Sequence, residues 1–192
     1  STASAAQVEW AEARSTNDFA RFLPWLEKTV SLAQRQAECY GWADGGEPWD
    51  ALAEGYERGC TAAKVASVFG PLRERLGDLL ARVLDAKASN MPDRSLDELS
   101  LSQDKQMDFC RFVAGHLGFD FDRGRLDRST HPFCGGSHCD DVRMTTRFQD
   151  NFVSDGLSST MHETGHSLYE QGLLFSNIGT PMGSSVSLGI HE

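Results

Sequence analysis

A mainly helical fold with one small antiparallel sheet is predicted by three observations. Leu72, Leu76, Leu79, Leu80, Val83 and Leu84 recur at i, i+4, i+7, i+8, i+11 and i+12, which places a stripe along one helix face. The stretch around His162-Glu163-Thr164-Gly165-His166 continues in helical character on both sides until Gly172, a residue that commonly ends a helix. Between them, near residues 119–148, the pattern changes to short alternating runs rich in Thr and Arg, which favour strands.

Taken in order, residues 5–14 read as a helix anchored by Val8 and Trp10, and Asn17-Asp18-Phe19 as a cap and short turn. Pro24 suits the first turn of a long helix reaching about Cys39, with Trp25, Leu26, Val30 and Leu32 inside. Gly41 to Pro48 is a turn-rich break. Pro48 then starts a short helix to about Glu54, and Gly55 and Gly59 close the segment. Thr61 caps the leucine-striped helix, which Pro71 should kink or split in two. Asn90-Met91-Pro92-Asp93 is a loop. Another helix runs from about Ser102 to His116 and stops at Gly118, with Met107, Phe109, Phe112 and Val113 as core candidates.

Phe119-Asp120-Phe121-Asp122 and Arg125-Leu126-Asp127 look like short strands around Gly124, and Asp141 to Phe148 like a third. The sheet should lie beside a helix over about 150–172, in which Phe152, Leu157, Met161 and Leu168 suit burial. A last helix is expected near Ser184 to Glu192. The organisation is therefore one domain: a helical scaffold over 1–118, a small sheet with loops over 119–148, and metal-binding helices over 149–192.

Composition narrows the function. The chain has 192 residues, enough for one core, and a net charge of -10. It has no basic stripe, so nucleic acid is an unexpected partner. It has no apolar run of membrane-spanning length. Ser1-Thr2-Ala3-Ser4-Ala5-Ala6 lacks the charged and apolar regions of a signal peptide, and the missing initial Met suggests a processed or excised chain. Five cysteines without framework spacing fit a reducing, cytoplasmic setting, with Cys39, Cys60 and Cys110 as small buried residues.

His162-Glu163-Thr164-Gly165-His166 is an H-E-x-x-H pattern. Positions i and i+4 share a helix face, so His162 and His166 can grip one ion. Glu163, one step round the helix, can reach a water on that ion. The chain's closing Glu192, 26 positions after His166, is a candidate third ligand. Two imidazoles and a carboxylate, with a fourth position left to water, describe a catalytic rather than a structural zinc site. Metal-assisted hydrolysis, most simply of a peptide bond, is the chemistry this implies.

Other groups read more plainly. His131-Pro132-Phe133-Cys134-Gly135-Gly136-Ser137-His138-Cys139-Asp140 holds two His and two Cys, but in no standard zinc spacing, and its glycines suggest a flexible loop. Arg143 and Arg147 could fork onto a substrate carboxylate. An ordinary ion pair, with Asp141 or Asp127, is the simpler reading. His116 fits a helix C-terminus.

Several motifs in order resemble one family. His131-Pro132-Phe133, Asp141-Val142-Arg143-Met144-Thr145, His162-Glu163-Thr164-Gly165-His166 and His191-Glu192 are similar to the signature of the carboxypeptidase Taq metallocarboxypeptidases. Ala13-Arg14, Asn17-Asp18-Phe19, Gly124-Arg125-Leu126-Asp127, Leu168 to Gly172 and Gly179-Thr180-Pro181 extend the resemblance over nearly the whole chain. The resemblance implies a helical architecture of the neurolysin or gluzincin kind. It implies zinc, or cobalt when supplied, and removal of single residues from the C-termini of peptides. Homodimers are implied as well. His162, His166 and Glu192 would hold the metal, and Glu163 would be general base and acid. His131, Asp141, Arg143 and Thr145 would touch substrate or brace the metal's surroundings.

The resemblance implies that the chain is truncated at both ends relative to the family. The Ser or Gly that follows the His-Glu pair is absent, as is the later segment with its substrate-binding tyrosine and arginine. Two alternatives therefore accompany the carboxypeptidase reading. One is a folded but catalytically incomplete fragment; the other is a zinc endopeptidase of the same H-E-x-x-H class.

Overall fold

The computed structural model describes residues 1–87, 93, 95, 99–185 and 187–192. Apart from Asp93, the loop expected at Asn90–Asp93 lies outside them. The chain divides into two compact units, Ser1–Ser89 with Ser187–Gly189 and Asn90–Val186 with Ile190–Glu192.

The first unit is helical. Helix α1 (Thr2–Thr16) ends at Asn17, whose φ of 53° is left-handed, a region that Asn tolerates. Asp18 then accepts a hydrogen bond from the Arg21 N–H and starts α2 (Phe19–Tyr40). That cap begins the helix ahead of Pro24, which sits inside it rather than opening it. A reciprocal Glu47–Asp50 capping box starts α3 (Pro48–Ala53). Thr61 accepts from the Lys64 N–H and starts α4 (Ala62–Lys87), which Pro71 does not split.

The expected apolar faces of this unit are exposed. On α4 the stripe from Leu72 to Leu84 is 45–57 % accessible, and Val8, Leu26, Val30 and Leu32 are also exposed. Trp10 and Trp25 are half-buried. Among its described residues the buried positions of the first unit are all alanines, Ala6, Ala13, Ala37 and Ala53. A small residue lets one helix approach another closely, and α1 packs on α2, and α2 on α3. The leucine stripe lies on a continuous helix, as its spacing predicts, but among the described residues of the first unit nothing buries it.

In the second unit, α5 (Gln103–Leu117) ends at Gly118, whose φ of 107° favours glycine. Its buried face is Gln106, Cys110 and Ala114, so Phe109 and Phe112 point outward, and Met107 and Val113 are half-buried. The small side of α5 faces the metal-motif helix. Residues 119–122 form a turn, not a strand, because the Asp120 carboxylate accepts the Asp122 N–H.

The sheet contains β1 (Gly124–Arg128), β2 (Phe133–His138) and β3 (Asp141–Thr146) in the order β1-β3-β2. Strand β1 runs parallel to β3 with Leu126 opposite Met144, and β2 runs antiparallel with Cys134 opposite Met144. The sheet is thus mixed, not purely antiparallel, and the segment expected as a flexible loop supplies its third strand. Glycine explains the difference. A Cβ on Gly136 would stand 2.5 Å from the Asp141 carbonyl, so only glycine allows this hairpin to close so tightly.

Helix α6 (Val153–Gly172) packs on β3, β2 and α5. Its buried face is Gly156, Thr160, Glu163, Thr164, Ser167 and Gln171, whereas Phe152 and Met161 are exposed and Leu157 and Leu168 half-buried. Polar residues can line this face because they bond backwards along their own helix. Thr160 donates to the Gly156 carbonyl at 2.8 Å, Thr164 to Thr160 at 2.7 Å, and Ser167 to Glu163 at 2.7 Å. With their hydroxyls satisfied they pack as small groups against a core of Cys110, Ala114, Phe119, Leu126, Val142 and Met144.

After α6 come two single 3₁₀ turns, Phe175–Asn177 and Pro181–Gly183, and a one-turn helix α7 (Leu188–His191). The helix expected from Ser184 is shorter because Ser187 adopts a φ of 55°, which no helix accommodates. Glu192 lies just past its end. All five cysteines are free; Cys110 is buried, but Cys39 is exposed and Cys60 half-buried, contrary to expectation. Among the described residues no helix is long and apolar enough to cross a membrane.

Gly124 offers a direct check on the sheet. A Cβ there would collide with the Val142 carbonyl oxygen and stand 2.6 Å from the Phe119 ring. The carbonyl is backbone and cannot yield without opening the β1–β3 pairing. Gly124→Ala should therefore lower unfolding free energy by about 1–3 kcal/mol, measured by denaturant titration.

Candidate metal centre

Helix α6 is fixed at both ends, which sets the rotation of its histidines. Near its start the Thr146 hydroxyl donates to the Gly156 carbonyl at 3.2 Å, and Arg147 pairs with Asp155 at 3.2 Å. Near its end the Gln171 amide clamps Asp120, accepting from its N–H at 3.0 Å and donating to its carbonyl at 2.8 Å. Arg123 also donates to the Gln171 carbonyl at 2.9 Å.

This rotation turns Glu163 inward, where it is 6 % exposed, and leaves His162 and His166 along the rim. His162 Nε2 and His166 Nε2 are 3.1 Å apart. Glu192 Oε2 lies 3.6 Å from the first and 3.8 Å from the second. A circle through three atoms with those separations has a radius of about 2.0 Å, close to the distance at which nitrogen and carboxylate oxygen bind zinc. The donor set, two imidazoles and one carboxylate, is one that holds a divalent cation with a coordination position left open. The structure brings these three residues together, with Glu192 following a single helical turn rather than ending a full helix.

Glu163 is not among the three. Burial holds its carboxyl above the usual carboxylate range; nearby His162, His166 and His131 oppose that rise, and Glu192 adds to it. A carboxylate raised in this way is a better proton acceptor than one in water.

The remaining candidates fall on two sides of β3. Asp141 and Arg143 pair with each other on an exposed face through two hydrogen bonds of 2.9 Å, beside an equivalent Arg125–Asp127 pair. The simple ion-pair reading of Arg143 is therefore the one the geometry shows. Each pair holds its aspartate below the usual carboxylate range. Thr145 is buried on the same strand. Its Oγ1 accepts the Phe133 N–H at 3.1 Å and lies 2.6 Å from the Ser129 hydroxyl, which in turn is 2.5 Å from the His131 carbonyl. Thr145 thus secures the loop that brings His131 to bear on Glu163.

Two further side chains adjoin the centre without having been assigned a role from the sequence. His191 Nε2 lies 2.9 Å from His166 Nδ1. Cys134 Sγ is 3.2 Å from Ser167 Oγ on the buried side of α6, and burial raises its thiol pKa. Only the first left a signal, since His191 precedes Glu192 directly. Among the described residues a second group, His138, Cys139 and Asp140, also gathers metal-binding atoms. There the Arg123 guanidinium sits 2.6 Å from the Asp140 carboxylate and already occupies the cationic place.

The fold is mainly helical, and its site gathers two imidazoles and a carboxylate that could hold one metal ion. The profile of one family, described as carboxypeptidase Taq (M32) metallopeptidase, matches residues 1–192, and the chain belongs to that family. It is similar to thermostable carboxypeptidase 1 of Thermus thermophilus, at 39 % identity over 98 % of this chain and 38 % of the relative. The crystal structure of BsuCP superposes with a TM-score of 0.92 at 33 % identity, over 99 % of this chain and 37 % of that one. The structure of Pyrococcus furiosus carboxypeptidase (Apo-Mg) gives a TM-score of 0.79 at 37 % identity, over 99 % of this chain and 38 % of that one. The chain thus spans somewhat under two fifths of the length of the relatives it matches.

Proposed function

We propose that this chain carries the metal centre of a zinc-dependent carboxypeptidase, which removes single residues from peptide C-termini. The observation that supports this reading most is the convergence of His162, His166 and Glu192 within reach of one ion, beside the buried Glu163. His162 and His166 would hold the zinc from one face of α6, and Glu192 would close the set from the chain's other segment. Bound there, zinc would polarise a peptide carbonyl and acidify a water. Glu163 would take the proton of the attacking water and return it to the leaving amine. Its desolvated position suits the first task, because burial disfavours the charged carboxylate and makes Glu163 a stronger base than a carboxylate in water. His131 would tune that carboxyl electrostatically, held in place through Thr145. Asp141 and Arg143 would brace the outer face of β3.

Cobalt would serve in the same donor set when supplied. Five free thiols support a reducing, cytoplasmic setting. Homodimerisation is an expectation from the family resemblance.

An acyl dipeptide with a free carboxylate, compared with its amidated twin, tests the reaction. The carboxypeptidase reading expects cleavage of the free acid at least tenfold faster. Equal rates would make the protein an endopeptidase, and no cleavage by this chain alone would make it an incomplete site.

A further inference from the structure

We infer that His191 is a positioning residue for the metal centre: its Nε2 accepts the Nδ1 proton of His166 and so holds His166 in the tautomer and ring angle that present Nε2 to a cation. The inference rests on the metal reading above and extends it by one residue.

A neutral imidazole has one protonated nitrogen and one lone pair. His166 Nε2 faces His162 Nε2 at 3.1 Å and Glu192 Oε2 at 3.8 Å, so that is the nitrogen a cation would use. Its proton must then sit on Nδ1. That atom has a partner in reach, His191 Nε2 at 2.9 Å. The His166 side chain is only 12 % exposed, so water is a poor substitute there. The His162 side chain is 51 % exposed and can rely on solvent. The two ligand histidines are therefore not equivalent, and the sheltered one has an aromatic partner at its Nδ1.

His191 is itself placed by packing. Its ring lies 4.5 Å from that of His166, tilted by 30°, and meets the Tyr169 ring edge-on at 5.0 Å and 85°. Tyr169 and His166 both lie on α6, so two side chains of one helix hold His191 between them. His191 is also the residue before Glu192. One two-residue step thus delivers a carboxylate to the cation position and an acceptor to the back of His166. The same step orients two of the three ligands. Outer partners of metal-bound histidines typically contribute 10–100-fold in metal affinity, by fixing tautomer and ring orientation.

Three variants of the full-length protein separate this role from mere packing. His191→Ala removes ring and acceptor. His191→Phe keeps a ring against Tyr169 but has no acceptor. His191→Gln keeps an acceptor near the position of Nε2. Zinc affinity is measured by competition with a fluorescent chelator, and the Co²⁺ absorption spectrum reports ligand geometry. The expected result is a roughly 10–100-fold loss of zinc affinity for both Ala and Phe, with a changed Co²⁺ band, and recovery of most of the loss by Gln. If the parent binds one zinc and the Ala or Phe variant binds it equally well, the role of His191 is overturned while the metal reading stands. Equal losses in Gln and Ala would overturn the acceptor role as well. If the parent binds no zinc, the metal reading fails and takes this inference with it. Matching melting temperatures show that losses are not unfolding, and the Phe–Gln contrast remains decisive if Ala folds poorly.

Discussion

Replacement of Glu163 by Gln is expected to leave the cation bound and to reduce turnover by roughly 10²–10⁴-fold, the usual contribution of a positioned general base and acid. The side chain keeps its shape, so packing against the sheet should survive. What it loses is the ability to take a proton. Glu163 stands outside the His162–His166–Glu192 triangle, so metal content should match the parent. Burial already disfavours the charged carboxylate here, so the neutral amide should fold at least as well. The measurement is kcat alongside zinc per chain on the same preparation of full-length protein. Parent-like turnover at full metal occupancy would sink the assignment of Glu163 as base.

The second large effect is expected from His166→Ala. It removes a nitrogen that lies 3.1 Å and 3.8 Å from the other two donor atoms, and it also strands His191. Two donors remain, fewer than a three-residue catalytic zinc site requires. Zinc affinity should fall by well over the roughly 100-fold that sets the upper end for outer partners, and activity should fall with it. Chelator competition and metal analysis after dialysis measure the loss. Retention of one zinc at parent affinity would remove His166 from the ligand set. Comparison with Glu163→Gln separates the two roles, since one variant keeps metal without turnover and the other loses both.

Local chemistry was legible along most of the chain. Asp18, Thr61 and Gly118 mark helix ends because caps act on groups within a few residues. The leucine stripe of α4 was visible because its spacing is a property of one helix. The paired imidazoles were visible for the same reason, since i and i+4 meet on any helix. The rotation of each helix was not. Phe109, Phe112 and Met161 looked like core by hydropathy, yet Ala114, Thr160 and Thr164 are buried, because close packing of α5, α6 and β3 selects small side chains over large ones.

By itself the sequence determined most of the helices, the ends at Asp18, Thr61 and Gly118, the His162–Glu163–His166 motif and the family signature. The tertiary structure alone decided that β1 runs parallel to β3, that residues 133–138 pair as a strand, and that His191 stands behind His166. Turns of helix and caps arise between near neighbours, whose identities are written side by side. Strand partners and the His166–His191 pair meet only when the folded chain brings distant segments together, and no short-range pattern encodes that encounter.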